Sequence, residues 1–81
     1  MNDDAIAAQL VAALTQAATR EAGAQTTLVS VNIEMIAPGN EGEAHAALTR
    51  KTRTLVFMSA DYIGADGVRI ATAASVHKIL A

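Results

Sequence analysis

From Asp4 to Glu21 the apolar positions Ile6, Leu10, Ala13, Leu14, Ala17 and Ala18 recur every three or four residues, the spacing of one helical face. The pattern predicts an amphipathic helix over about residues 4–22. Asn2, Asp3 or Asp4 can cap its free amides and meet the positive end of its dipole, and Gly23 is placed to end it in the left-handed conformation. Beyond Gly23 the period drops to two. Val29, Val31, Ile33 and Met35 alternate with Ser30, Asn32 and Glu34, which predicts a half-buried strand over about 26–37, closed by the turn-forming run Pro38-Gly39-Asn40-Glu41-Gly42. In a second strand, about 43–50, Ala44, Ala46 and Leu48 alternate with His45, Ala47 and Thr49 and lead into a basic turn at Arg50, Lys51 and Arg53. A third, about 54–63, sets Val56, Met58, Ala60 and Tyr62 against Phe57, Ser59, Asp61 and Ile63. Gly64-Ala65-Asp66-Gly67 is a hairpin signal, and a last strand follows over about 68–78.

One helix followed by four strands on short loops predicts a single α+β domain over residues 1–81, an antiparallel meander with the helix on one face. Ala13, Ala17, Ala60, Ala71, Ala73 and Ala74 let helix and sheet sit close. The two sheet edges need protection, and pairing of an edge strand with a second copy supplies it.

Composition sharpens this expectation. Of 81 residues, 19 are alanine and only Phe57 and Tyr62 are aromatic, so each buried side chain removes little area from water. A lone core of this size yields only about 3–5 kcal/mol, and no cysteine is present to staple it. A homo-oligomer, at least a dimer, is expected. The net charge of −2 argues against a nucleic-acid partner, which calls for a surplus of Lys and Arg. No apolar run approaches the roughly 18–20 residues of a membrane span, and the acidic start Met1-Asn2-Asp3-Asp4 is unlike a signal peptide, so a cytoplasmic protein is expected.

The order of elements resembles a known family. Val29-Ser30-Val31-Asn32-Ile33-Glu34-Met35-Ile36-Ala37-Pro38 is similar to the first strand after the helix in hotdog-fold thioesterases of the phenylacetate-pathway and 4-hydroxybenzoyl-CoA type. Arg50-Lys51-Thr52-Arg53-Thr54-Leu55-Val56-Phe57 resembles the family's basic turn and next strand, and Ala65-Asp66-Gly67-Val68-Arg69-Ile70-Ala71-Thr72-Ala73 its hairpin and closing strand. The resemblance implies a curved antiparallel sheet wrapped on the helix, a dimer, and an acyl thioester of CoA or carrier protein at the subunit boundary. Against the family pattern the chain is N-terminally abbreviated: a first strand and a His-Gly-Gly loop are missing. Where the family's helix often carries a catalytic carboxylate, this one has Thr15 or Gln16.

Thioester hydrolysis needs a carboxylate to activate water or attack the carbonyl, and donors for the oxyanion. The helix-start amides near Ala5, Ile6 and Ala7 are expected to serve as donors, but the sequence assigns no catalytic residue. Thr15 reads as a mid-helix threonine bonded to its own turn, Glu34 as a solvated strand carboxylate, and Glu21 as an exposed helix end. His45 and His77 stand 32 positions apart without ligand-spaced partners, so no metal is expected, and both read as lying near strand surfaces. No Gly-x-Ser-x-Gly or phosphate-binding glycine loop occurs, and no cofactor is expected.

Charge is unevenly distributed. Residues 1–49 carry a balance of −5 and residues 50–81 one of +3. The resemblance implies that Arg50, Lys51 and Arg53 contact CoA phosphates, for which arginine is well shaped; the plainer reading is a solvated turn that discourages edge aggregation. Two functions stay open from the sequence. One is a thioesterase-like protein that binds, and with a base supplied hydrolyses, an acyl-CoA. The other is a non-catalytic oligomeric module for assembly or ligand sensing.

Overall fold

The computed structural model describes residues 3–39 and 41–80; Asn2, one of the expected caps, and Asn40 of the expected turn lie outside them. Helix α1 runs Asp3–Ala22, followed by strands β1 (Thr26–Met35), β2 (Gly42–Lys51), β3 (Leu55–Gly64) and β4 (Arg69–Ile79). All four strands form one antiparallel sheet in the order β1-β4-β3-β2. The last three strands make the expected meander, but β1 pairs with β4 and not with β2. The connection from β1 therefore crosses the sheet end, where Ile36 and Ala37 donate their N–H groups to Ile70 O and Glu41 O accepts from Ala65 N. This order follows from burial. It places β4, whose Ala71, Ala73, Ser75 and His77 are buried, between two neighbours, and leaves β2, with Glu43, His45, Arg50 and Lys51 exposed, at an edge.

Helix α1 turns Ile6, Leu10, Leu14, Ala17 and Ala18 onto the sheet. They meet Val56, Met58, Ala60 and Tyr62 of β3 and Ile70, Ala71 and Ala73 of β4, all buried in one core. The alanines keep the layers close. At its end Gly23 has φ +67° and donates its N–H to Thr19 O, a left-handed stop. The Lys51 ammonium donates to Glu21 O at 2.9 Å, so a cation meets the negative end of the helix.

The register slips by one residue between Leu28 and Ser30 in β1, between Leu48 and Arg50 in β2, and opposite Tyr62 and Ile63 of β3, where Ile70 is the extra residue in β4. Such bulges bend a strand and reverse which side chains face which way beyond them.

Candidate functional site

The bulge at Thr49 decides what the basic turn offers. Ala44, Ala46 and Leu48 face α1, and unbroken alternation would carry Arg50 to that face too. The extra residue sends Arg50 to the outer face, opposite Phe57, and Lys51 to the inner face, opposite Val56. The basic residues expected to act together are divided, as neighbours on a strand are, and the bulge sets Arg50 outside and Lys51 inside. Lys51 is engaged at the helix end. Arg50 holds its guanidinium 6.0 Å from the Phe57 ring centroid, within cation–π range. Arg53 sits at the turn tip, exposed, because the Thr52 side chain accepts N–H bonds from Thr54 and Leu55 and Thr52 N donates to Leu55 O, closing the loop beneath it. Neither arginine takes part in an ion pair among the described residues, so both charges are available to an anion. Lys78, exposed on the outer side of β4, adds a cation at the same end of the sheet.

The opposite end is acidic. A helix of 20 residues is about 30 Å long, and in a chain measuring 39 × 19 × 15 Å it fits only along the long axis. With its C-terminus fixed at Lys51, its start lies toward the β3–β4 hairpin. There an open groove of about 810 Å³ is lined by Pro38, Glu41, Asp66, Val68 and Ile70. Its floor is apolar and its rim carries two carboxylates, so it suits an apolar group and repels phosphate. Within one chain the helix-start amides and the basic turn are therefore separated by most of the molecule's length.

Thr15 is half-buried and Gln16 exposed on α1, and neither supplies a base. Glu34 pairs in register with Thr72, on the face turned away from the helix, and is exposed. Glu21 is exposed and offers only its backbone carbonyl. Among the described residues no group of three His, Cys, Asp or Glu side chains is placed to hold a metal. None of their helices is long and apolar enough to cross a membrane.

One polar pair escaped the sequence reading. His45 is exposed on the outer face, but His77 is fully buried, with Nε2 2.7 Å from the Ser75 hydroxyl oxygen, itself buried. Burial pushes the His77 pKa below 6.5. The signal was present in the alternation of β4, which puts Ser75 and His77 in phase with Ala71 and Ala73. Sealed under the helix, the pair has no access to substrate.

No family model matches the chain, and no curated protein sequence does. Solved structures do. The chain is 19% identical to the BH2602 protein from Bacillus halodurans, solved with CoA, covering 99% of this chain and 56% of that one at a TM-score of 0.87. It is 24% identical to zebrafish thioesterase superfamily member 2, over 99% of this chain and 62% of that one at a TM-score of 0.86. It is 23% identical to a phenylacetic acid degradation-related protein from Ralstonia eutropha, over 98% of this chain and 62% of that one at a TM-score of 0.82. The fold is therefore the hotdog arrangement of thioesterase-superfamily structures, and the chain spans 56–62% of the length of these three.

Proposed function

We propose that the protein binds an acyl thioester of CoA at the boundary between two copies of itself. The observation that carries this reading is a hotdog fold, shared with a structure solved with CoA, whose basic end holds Arg50 at the close of β2 and Arg53 in the turn, neither in an ion pair among the described residues. Arg50 and Arg53 take the phosphates, while Lys51 stays on the helix end.

Two copies are needed to assemble the site. Strand β1 is an edge with Leu28, Val29, Met35 and the following Ile36 exposed at 40%, 58%, 40% and 52%, whereas the β2 edge is charged. Antiparallel pairing of β1 with a second β1 continues the sheet and sets the basic end of one copy beside the acidic end of the other. It also brings the partner's basic turn toward the helix-start amides of the first copy, so a phosphate group and a thioester carbonyl are held from different chains.

Hydrolysis is a separate matter. Helix α1 begins at Asp3, so the amides of Ile6 and Ala7 are taken up in its own ladder, and Thr15 and Gln16 provide no base on the helix. That observation favours a second reading, a ligand-sensing or assembly module that holds the thioester without turning it over. Calorimetric titration with CoA and with short, long and aromatic acyl-CoAs, alongside a free-thiol assay, tests both. Binding with turnover supports a hydrolase, binding without turnover supports the sensing module, and absence of binding to every member overturns the proposal.

A further inference from the structure

The link after β1 and the hairpin between β3 and β4 are tied together, and the tie builds the walls of the open groove at that end of the sheet. Ile36 and Ala37 donate their N–H groups to Ile70 O at 2.8 and 3.1 Å, and Ala65 donates to Glu41 O at 3.1 Å. The Ile70 side chain lies between the walls as the floor. Two bare glycines admit it. A Cβ on Gly39 would overlap Ile70 Cδ1, and one on Gly64 would stand 3.1 Å from that methyl and 3.0 Å from Asp66 Oδ1. A carboxylate oxygen and one end of the apolar floor therefore lie against the same point of the backbone. Val68, exposed, extends the apolar lining, and Glu41 lines the other wall.

The charges around the groove are one-sided. Glu43 lines a smaller hollow of about 440 Å³ that adjoins it along Glu41, Gly64 and Ala65, with His45 3.7 Å from the Glu43 carboxylate. Arg69, the nearest basic residue in sequence, is engaged with Asp61 at 3.7 Å. Among the described residues no lysine or arginine lines either hollow.

We propose that this groove binds a small organic amine, an ammonium group carried on a short aliphatic or aromatic body. The body rests on Ile70 and Val68, and the cation sits at the rim between Glu41 and Asp66. At about 810 Å³ the groove has the size of a small-molecule site, for which roughly 300–1,000 Å³ is usual. Burying the body against the floor supplies affinity in proportion to the apolar area removed from water. The carboxylates then sort the head groups, attracting an ammonium and turning away a carboxylate or phosphate. A bare metal ion gains nothing from the floor, and no group of three His, Cys, Asp or Glu among the described residues is placed to hold one. Backbone bonds fix the walls before any ligand arrives, so binding orders little of the chain. The site stands apart from the thioester reading, since its rim repels the phosphates of CoA.

Calorimetric titration of the full chain with hexylammonium, hexanol and hexanoate reads the head-group preference directly. Affinity is expected to fall in that order, by about tenfold or more from first to last at low ionic strength, and the spread should narrow as salt screens the rim. Glu41→Gln with Asp66→Asn removes both charges and keeps the turn, because an amide oxygen can accept from Val68 N as Asp66 Oδ1 does at 3.1 Å. That double variant should bind hexanol as before and lose the preference for the ammonium. Val68→Lys, at an exposed position, sets an ammonium of the chain's own over the groove and should weaken hexylammonium binding with the circular dichroism spectrum unchanged. Equal affinity for hexylammonium and hexanoate, no binding of either, or a preference that survives the double variant overturns the inference. Hexylammonium binding that disappears as protein concentration rises assigns the groove to the basic turn of a second copy, and overturns it too.

Discussion

The His77 imidazole lies against the Ser75 hydroxyl at 2.7 Å through Nε2, while its Nδ1 is buried without a hydrogen-bond partner among the described residues. Val56 on one side and Leu28 on the other are its register neighbours, so no side-chain charge in its row stands beside it to favour a proton; Lys51, beyond Val56, is itself a cation.

Stability should therefore fall in mild acid. Burial holds the His77 pKa below 6.5 in the folded chain, so at pH values under about 6.5 the unfolded chain binds more protons and unfolding is favoured. Urea midpoints measured from pH 8 to 5 should be level at the alkaline end and drop below about pH 6.5. His77→Gln lowers the midpoint throughout but flattens that drop. A wild-type midpoint that stays level down to pH 5 contradicts the assignment.

Lys51 and the two arginines should separate by experiment. Removing the Lys51–Glu21 contact in Lys51→Met should cost about 0.5–1 kcal/mol of stability and speed amide exchange at the end of α1, with little effect on CoA affinity.

The reverse pattern is expected for Arg50→Ala with Arg53→Ala. Both side chains lie outside the core, so stability and assembled mass should hold while calorimetry shows CoA binding weakened. Each charge-assisted phosphate contact contributes about 1.5–3 kcal/mol. Equal affinity in the double variant removes the phosphate role.

Two glycines should respond unequally to alanine. Gly42 faces Gly64 across β2 and β3, and a Cβ there would run into the Ile63 carbonyl oxygen and come within 2.8 Å of its carbon and 2.9 Å of Gly64 Cα. Backbone on that side cannot yield as a side chain does, so Gly42→Ala should cost about 3 kcal/mol, the upper part of the range for overpacking. Gly23, with open space around its Cβ position and φ +67°, should cost only about 1 kcal/mol as alanine. Thermal midpoints of the two variants check the order.

Dilution should dissociate and unfold the chain together, since a buried core of five alanines, six larger apolar side chains and Tyr62 among the described residues gives a single copy little margin. A folded monomer persisting at nanomolar concentration refutes this.

The helix and the antiparallel strands were legible because both are written in local period: three to four residues up to Gly23, two thereafter. Strand order was not. A six-residue link from Ile36 to Glu41 reads as a hairpin, and only the competition for the sheet's interior, won by the small and apolar β4, sends β1 to its side. The site was half legible. Arg50 and Lys51 are neighbours on a strand and so face opposite ways in any register; the extra residue at Thr49 decides that Arg50 is the one facing out, a shift that alternation upstream gives no means to foresee. His77 was misplaced for the opposite reason: its residue type pointed outward while its phase pointed in.

The strand order has a bearing on how the protein avoids fibres. Under the proposed β1 self-pairing that seam is consumed by the first encounter, and the far margin exposes Glu43, His45, Arg50 and Lys51 with Leu48 its one exposed large apolar side chain among the described residues, a poor rail for newcomers. On that pairing, growth by strand addition stops at two.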